Sequence, residues 1–79
     1  MTEFENLKRD YVSTIQFVLA SNIGYHETKR GNDILHKFCE LLVENSSYHN
    51  EVKTEMKHEL ELLKEALSEE IECYYRKRF

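Results

Sequence analysis

The C-terminal stretch of the chain, residues 48–76, reads YHNEVKTEMKHELELLKEALSEEIECYYR. Large apolar side chains recur through it at spacings of three or four residues. They are Tyr48, Val52, Met56, Leu60, Leu63, Leu67, Ile71 and Tyr74. This period places them along one face of an α-helix. The pattern predicts one long helix over about residues 49–76, on which the rest of the chain can pack.

Two shorter helices are predicted upstream of this stretch. The first, over about residues 3–20, has its apolar stripe at Phe4, Leu7, Tyr11, Ile15 and Val18. The second, over about residues 33–44, has its apolar stripe at Ile34, Leu35, Phe38, Leu41 and Leu42. Residues 21–31 are mostly polar and hold both glycines, so they predict a linker. Asn45-Ser46-Ser47 favours side-chain bonds to the backbone and predicts a tight connection.

The composition agrees with an all-helical protein. The chain has no proline and two glycines, so the residues that commonly punctuate strands and hairpins are nearly absent. Its 79 residues suffice for one domain, and 41% hydrophobic with 33% charged residues is usual for a globular chain. We therefore predict a single all-α domain over residues 1–79, in which two shorter helices pack on one long C-terminal helix.

The length of the third helix bears on assembly. At 1.5 Å per residue it would extend about 40 Å, beyond what either shorter helix can cover. Its apolar stripe continues to Ile71 and Tyr74, so its distal part needs a covering surface. A second copy of the chain or a different protein would supply one, and of these two we expect a homodimer.

Charge and cysteine content limit the classes of partner and compartment. The formal charge of −4 argues against a nucleic-acid partner, because such binding depends on neutralising phosphates. No stretch approaches the roughly 20 apolar residues of a membrane span, and the acidic N-terminal residues do not resemble a signal peptide. Cys39 and Cys73 lie far apart without a paired framework, which predicts a cytoplasmic protein.

Few residues suggest chemistry. His36 and Cys39 lie three residues apart on a predicted helix, a spacing that can present both to one zinc ion. No further pair with metal-ligand spacing accompanies them, and the alternative is a buried Cys39 with His36 facing solvent. No nucleophile, base and orienting group can be assembled from the sequence. We expect no catalytic residue, no cofactor and no metal site, and hence no enzyme.

Aromatic residues and cations outside the main stripes are candidates for binding a partner. Phe17 lies off the apolar stripe of the first helix, and Tyr25 lies in the predicted linker. The C-terminal end of the chain mixes aromatic and basic side chains. Aromatic residues and arginine are enriched at protein interfaces. The candidate partner-binding residues are Phe17, Tyr25, Ile71, Tyr74, Tyr75, Arg76, Arg78 and Phe79.

Three functions remain open at this stage. The preferred one is a regulator or adaptor that binds another protein. The second is a co-chaperone for secretion or assembly, a class whose short helical hairpins shield an apolar stripe on a client. The third is a small DNA-binding regulator in which helices 2 and 3 form a helix-turn-helix. Its recognition helix would begin His49-Asn50-Glu51, which is poor in arginine.

Overall fold

The computed structural model describes residues 3–78, which form three α-helices. Helix α1 spans Glu3–Ser21, α2 spans Tyr25–Glu44 and α3 spans Asn50–Arg78. Within the described residues there is no β-strand. Each helix contacts both others, and the molecule measures 45 × 18 × 18 Å. The all-α class and the three helices predicted from the sequence are confirmed.

Helices α1 and α3 bury the stripes that their periodicity predicts. Ile15, Leu60 and Ile71 have no exposed surface, and they lie at the centre of the core. The remaining buried apolar residues of these two helices are Phe4, Tyr11, Leu19, Met56, Leu67 and Tyr75. The first residues of the predicted α3 stripe, Tyr48 and Val52, lie outside the core and are exposed.

Helix α2 begins eight residues earlier than the sequence predicts, so the chain turns within the predicted linker, at residues 22–24, but residues 25–31 are helical and not linker. Only Gly24 needs the conformational freedom of glycine, because its φ is +121°. Its carbonyl oxygen accepts from the Thr28 backbone N–H at 3.0 Å and from the Thr28 hydroxyl at 2.6 Å, which closes the first turn. Gly31 lies inside the helix, where glycine costs about 1 kcal/mol relative to alanine.

The added turns of α2 offset this cost through contacts with the distal half of α3. The Tyr25 hydroxyl donates to Glu72, and Lys29 forms an ion pair with the same carboxylate at 3.1 Å. The Thr28 and Tyr75 hydroxyls lie 3.1 Å apart. The expectation that a second protein must cover this part of α3 is therefore wrong, because α2 covers it within the chain.

Residues 45–49 form the predicted tight connection and separate α2 from α3. The Asn45 backbone N–H donates to the Leu41 carbonyl at 3.0 Å, and the Ser46 hydroxyl donates to the Val43 carbonyl at 2.5 Å, so both bind the last turn of α2.

Among the described residues, no helix combines the length and the apolar character needed to cross a membrane.

Candidate functional site

The largest exposed group of apolar side chains lies on the solvent side of α2. It consists of Ile34, Phe38, Leu41 and Leu42, which are 61, 56, 60 and 45% exposed. Their spacing of four, three and one residues keeps them on one side of the helix. We call these four residues the outer α2 face.

The outer α2 face contains four of the five residues in the apolar stripe predicted for the second helix, so the prediction that this stripe packs on α3 is wrong for these four, whereas Leu35 is half-buried against the core. The side of α2 that faces α1 and α3 carries a different set, with its own helical spacing. The buried members of this set are Thr28, Asn32, His36, Cys39 and Val43. Three of the five are polar, so α2 buries much of its polar side and exposes its apolar side.

Hydrogen bonds across the helices explain this orientation. The Asn32 side-chain amide donates to the Lys64 carbonyl oxygen at 3.2 Å and to the Ser68 hydroxyl at 3.1 Å, both on α3. The Tyr11 hydroxyl on α1 donates to the Asn32 side-chain and backbone oxygens. Burial raises the pKa of the Tyr11 phenol, which keeps this donor protonated. Asn32 therefore joins all three helices.

His36 lies one turn beyond Asn32 and is also buried, contrary to the alternative in which it faces solvent. Its Nε2 lies 3.1 Å from a Glu61 oxygen, although not in hydrogen-bond geometry, and its Nδ1 lies 3.6 Å from Glu40. The two carboxylates thus approach opposite nitrogens of one imidazole ring. This arrangement ties α2 to α3 and does not direct several ligands at one point.

Cys39 is buried beneath the outer α2 face, as the sequence alternative to a zinc site proposed. Burial raises the pKa of its thiol, so the thiolate that a metal requires is disfavoured. Within residues 3–78, no group of three or more His, Cys, Asp and Glu side chains is arranged to hold a metal ion.

Several hollows border the outer α2 face, and two of them extend along its apolar residues. One, of about 230 Å³, lies over Gly31 and is lined by His26, Glu27, Arg30, Gly31 and Ile34. A Cβ atom built at Gly31 meets no other atom within 4 Å, so nothing in the chain fills this hollow. We call it the Gly31 hollow. The second, of about 220 Å³, runs beside Phe38 and extends the apolar surface to Leu7 of α1.

Charged side chains follow one margin of the face at seven-residue intervals. They are Arg30, Lys37 and Glu44, and Glu27 lies beside Arg30 at the Gly31 hollow, so both signs of charge occur at that end. Glu44 forms an ion pair with Lys57 of α3. The hydrogen bond from Lys57 lowers the pKa of Glu44 and keeps this carboxylate ionised.

The structure brings together three of the partner-binding residues predicted from the sequence, because the rings of Tyr25 and Tyr74 both contact that of Tyr75, but the whole set does not form one surface. Phe17 is 72% exposed and lies on α1. Ile71 and Tyr75 are buried in the core, while Tyr25 and Tyr74 are half-buried. Arg76 is exposed near the end of α3. The Arg78 side chain and Phe79 lie outside the described part of the chain.

Sequence reasoning found the residues of the outer α2 face but missed that they are exposed. The signal was the second helical pattern on α2, formed by Thr28, Asn32, His36, Cys39 and Val43. It begins before Gly31, in the segment interpreted as a linker, so the polar half of the helix was not recognised.

Comparison of the chain with protein-family models, with curated proteins and with solved structures finds no match.

Proposed function

We propose that this protein acts by binding another protein chain, as a small helical regulator or adaptor, and that the outer α2 face is its binding surface. The observation that supports this most is the exposure of four large apolar side chains side by side on one helix. Monomeric proteins rarely expose contiguous apolar patches beyond a few hundred Å², and larger ones mark interaction sites. Phe17, in contrast, lies apart from this group on another helix.

The proposal has three further parts. The protein works by binding, without a catalytic step. It forms a homodimer, as expected from the sequence, although the distal end of α3 no longer argues for one. It acts in the cytoplasm, because Cys39 and Cys73 are both unpaired thiols.

Photo-crosslinking in the native host tests the surface directly. The photoreactive residue p-benzoylphenylalanine replaces Phe38, with the same probe at Glu69 on the exposed side of α3 as control. We expect one adduct of defined mass from position 38, identified by mass spectrometry and abolished by Leu41→Asp. Equal labelling from both positions, or no adduct from position 38, would contradict the proposal.

The affinity of this protein for the partner identified by crosslinking then measures how much the outer α2 face contributes to binding. A central apolar anchor typically contributes about 2 kcal/mol or more, so Phe38→Gln should raise the Kd about 30-fold. Phe17→Gln is the matched control, since it removes an even more exposed phenylalanine from another helix, and it should leave the Kd unchanged. The reverse result would place the binding surface on α1.

A further inference from the structure

The outer surface of α2 has the spacing of a helix-pairing seam. Gly31, Ile34, Phe38 and Leu41 of α2, and Asn45 directly after its last residue, follow one another at intervals of three, four, three and four residues. This is the heptad repeat by which two helices pack side by side. The inward residues of α2 are on the opposite side, so the seam faces solvent along most of the helix.

The seam is also complementary to itself. At its centre are the large side chains of Ile34 and Phe38. The Gly31 hollow lies toward the N-terminal end of the seam. The exposed Leu41 side chain lies toward its C-terminal end, three residues beyond Phe38. Two antiparallel copies related by a twofold axis midway between Ile34 and Phe38 place Ile34 opposite Phe38 and Gly31 opposite Leu41. Leu41 of each copy then meets the Gly31 hollow of the other, while Ile34 and Phe38 pack against each other near the axis.

We infer that the outer α2 face binds the same face of a second copy, with the two α2 helices antiparallel and each Leu41 seated in the Gly31 hollow of the other copy. This inference rests on the proposed function and names the partner at the same surface. The interface is isologous, so one symmetric contact closes the assembly as a dimer.

The glycine itself supports this arrangement. No positive φ is recorded for Gly31, and a Cβ atom there would meet nothing within the chain. The fold of a single chain therefore gives no reason for glycine inside α2, where alanine is more stable. Close approach of a second helix gives one, because a side chain at position 31 would occupy the space that Leu41 of the second copy enters.

Charge at the margin of the face is partly complementary in this pairing. The antiparallel register brings Arg30 of one copy beside Glu44 of the other at both ends of the contact, and Glu44 also pairs with Lys57 of its own chain. The two Lys37 side chains near the axis repel each other, so apolar contact and the fit of Leu41 into the Gly31 hollow carry the interface.

Solution mass over a concentration series tests the dimer. We expect the full chain to reach twice 9.5 kDa. Gly31→Leu should fill the hollow and raise the dimer dissociation constant at least tenfold, while circular dichroism shows unchanged helicity. Phe17→Gln is the control and should dimerise like the wild type. A chain that stays monomeric, or a Gly31→Leu variant that dimerises normally, overturns the inference.

Cysteine crosslinking tests the orientation in a Cys73→Ser background. The antiparallel register brings Glu27 of one copy opposite Asn45 of the other. A mixture of Glu27→Cys and Asn45→Cys chains should form the mixed disulfide, whereas neither variant alone should form its own. Disulfides from the single variants indicate parallel helices and overturn the inference. A monomeric chain that still gives a heterologous adduct at position 38 overturns it but leaves the proposed function standing.

Discussion

Asn32 uses both the donor and the acceptor of its side-chain amide in hydrogen bonds to other helices. Its amide nitrogen donates to two oxygens on α3, and its amide oxygen accepts from Tyr11 on α1. A buried polar group is costly when it loses a partner, and less so when every partner is present. The orientation of α2 therefore depends on one amide whose donor and acceptor ends are both used.

Replacing this amide with a carboxyl of the same shape tests its role. Asn32→Asp turns the donor toward Lys64 into an acceptor, so that hydrogen bond is lost and a carboxyl oxygen faces a carbonyl, while the Ser68 hydroxyl must reverse its direction and donate. We expect the free energy of unfolding, measured by urea denaturation at pH 7, to fall by about 2–3 kcal/mol. Asn22→Asp in the exposed turn is the control and should change it by less than about 0.5 kcal/mol. Similar losses in both variants would contradict the network.

The two cysteines should differ sharply in reactivity. Cys39 is buried with a raised thiol pKa, whereas Cys73 is exposed. Thiolate is the species that reacts with iodoacetamide, so both access and ionisation slow the reaction at Cys39. We expect mass spectrometry at pH 8 to show one rapid alkylation, at Cys73, and a Cys73→Ser chain to react only slowly. In urea both thiols should react alike, and rapid native labelling of Cys39 would show that α2 is not packed as described.

At the scale of the helix, the two glycines have opposite requirements. Gly24 has a positive φ that strains any residue with a Cβ atom, while Gly31 has open space in front of it. Gly31→Ala should therefore raise the free energy of unfolding by about 0.5–1 kcal/mol, and Gly24→Ala should lower it by about 1 kcal/mol or more. Thermal unfolding monitored by circular dichroism at low protein concentration measures both. A loss of stability in Gly31→Ala would mean that position 31 is packed within the chain.

Acid should weaken the contact between the first turns of α2 and the distal half of α3. The hydrogen bond from Tyr25, and then that from Lys29, lowers the pKa of Glu72. Because the pKa of Glu72 is lower in the folded chain, the unfolded chain binds a proton at this carboxylate more readily than the folded chain does. The ionised Glu72 therefore stabilises the fold above the ordinary glutamate pKa. This contribution is lost as the pH falls through the lowered pKa of the folded state. We expect the free energy of unfolding, measured by urea denaturation, to fall less between pH 6 and pH 3 in the Glu72→Gln variant than in the wild type. Glu70→Gln should behave as wild type.

Periodicity predicted α1 and α3 because their apolar residues are the ones that the fold buries. It misled for α2, where both Ile34-Phe38-Leu41 and the set containing Asn32 and His36 have helical spacing. Apolar burial alone favours turning the first set inward. The hydrogen bonds of Asn32 with α1 and α3 instead turn the set that contains Asn32 and His36 inward. Hydrogen bonds between residues far apart in the chain leave no periodic signal in the sequence. The partner surface was missed for the same reason.

The molecule as a whole combines an apolar core between α1 and α3 with a polar contact layer along α2. Ile15, Leu60 and Ile71 provide non-directional burial, whereas Asn32 and its partners permit one register of α2. Hydrogen-bonded groups in a core contribute specificity more than stability. This division leaves the apolar residues of α2 free to face another chain.

Substitutions on the two sides of α2 test the orientation of this helix in the whole fold. Phe38→Gln changes an exposed side chain, so we expect the free energy of unfolding of the monomer to change by less than about 0.5 kcal/mol. Leu60→Ala removes a fully buried side chain and should cost about 2–5 kcal/mol. Urea denaturation at a concentration low enough to exclude self-association measures both. If α2 packed with its apolar side inward, Phe38→Gln would cost several kcal/mol while Asn32→Asp would be nearly neutral, so the ratio of these two losses identifies which side of α2 faces the core.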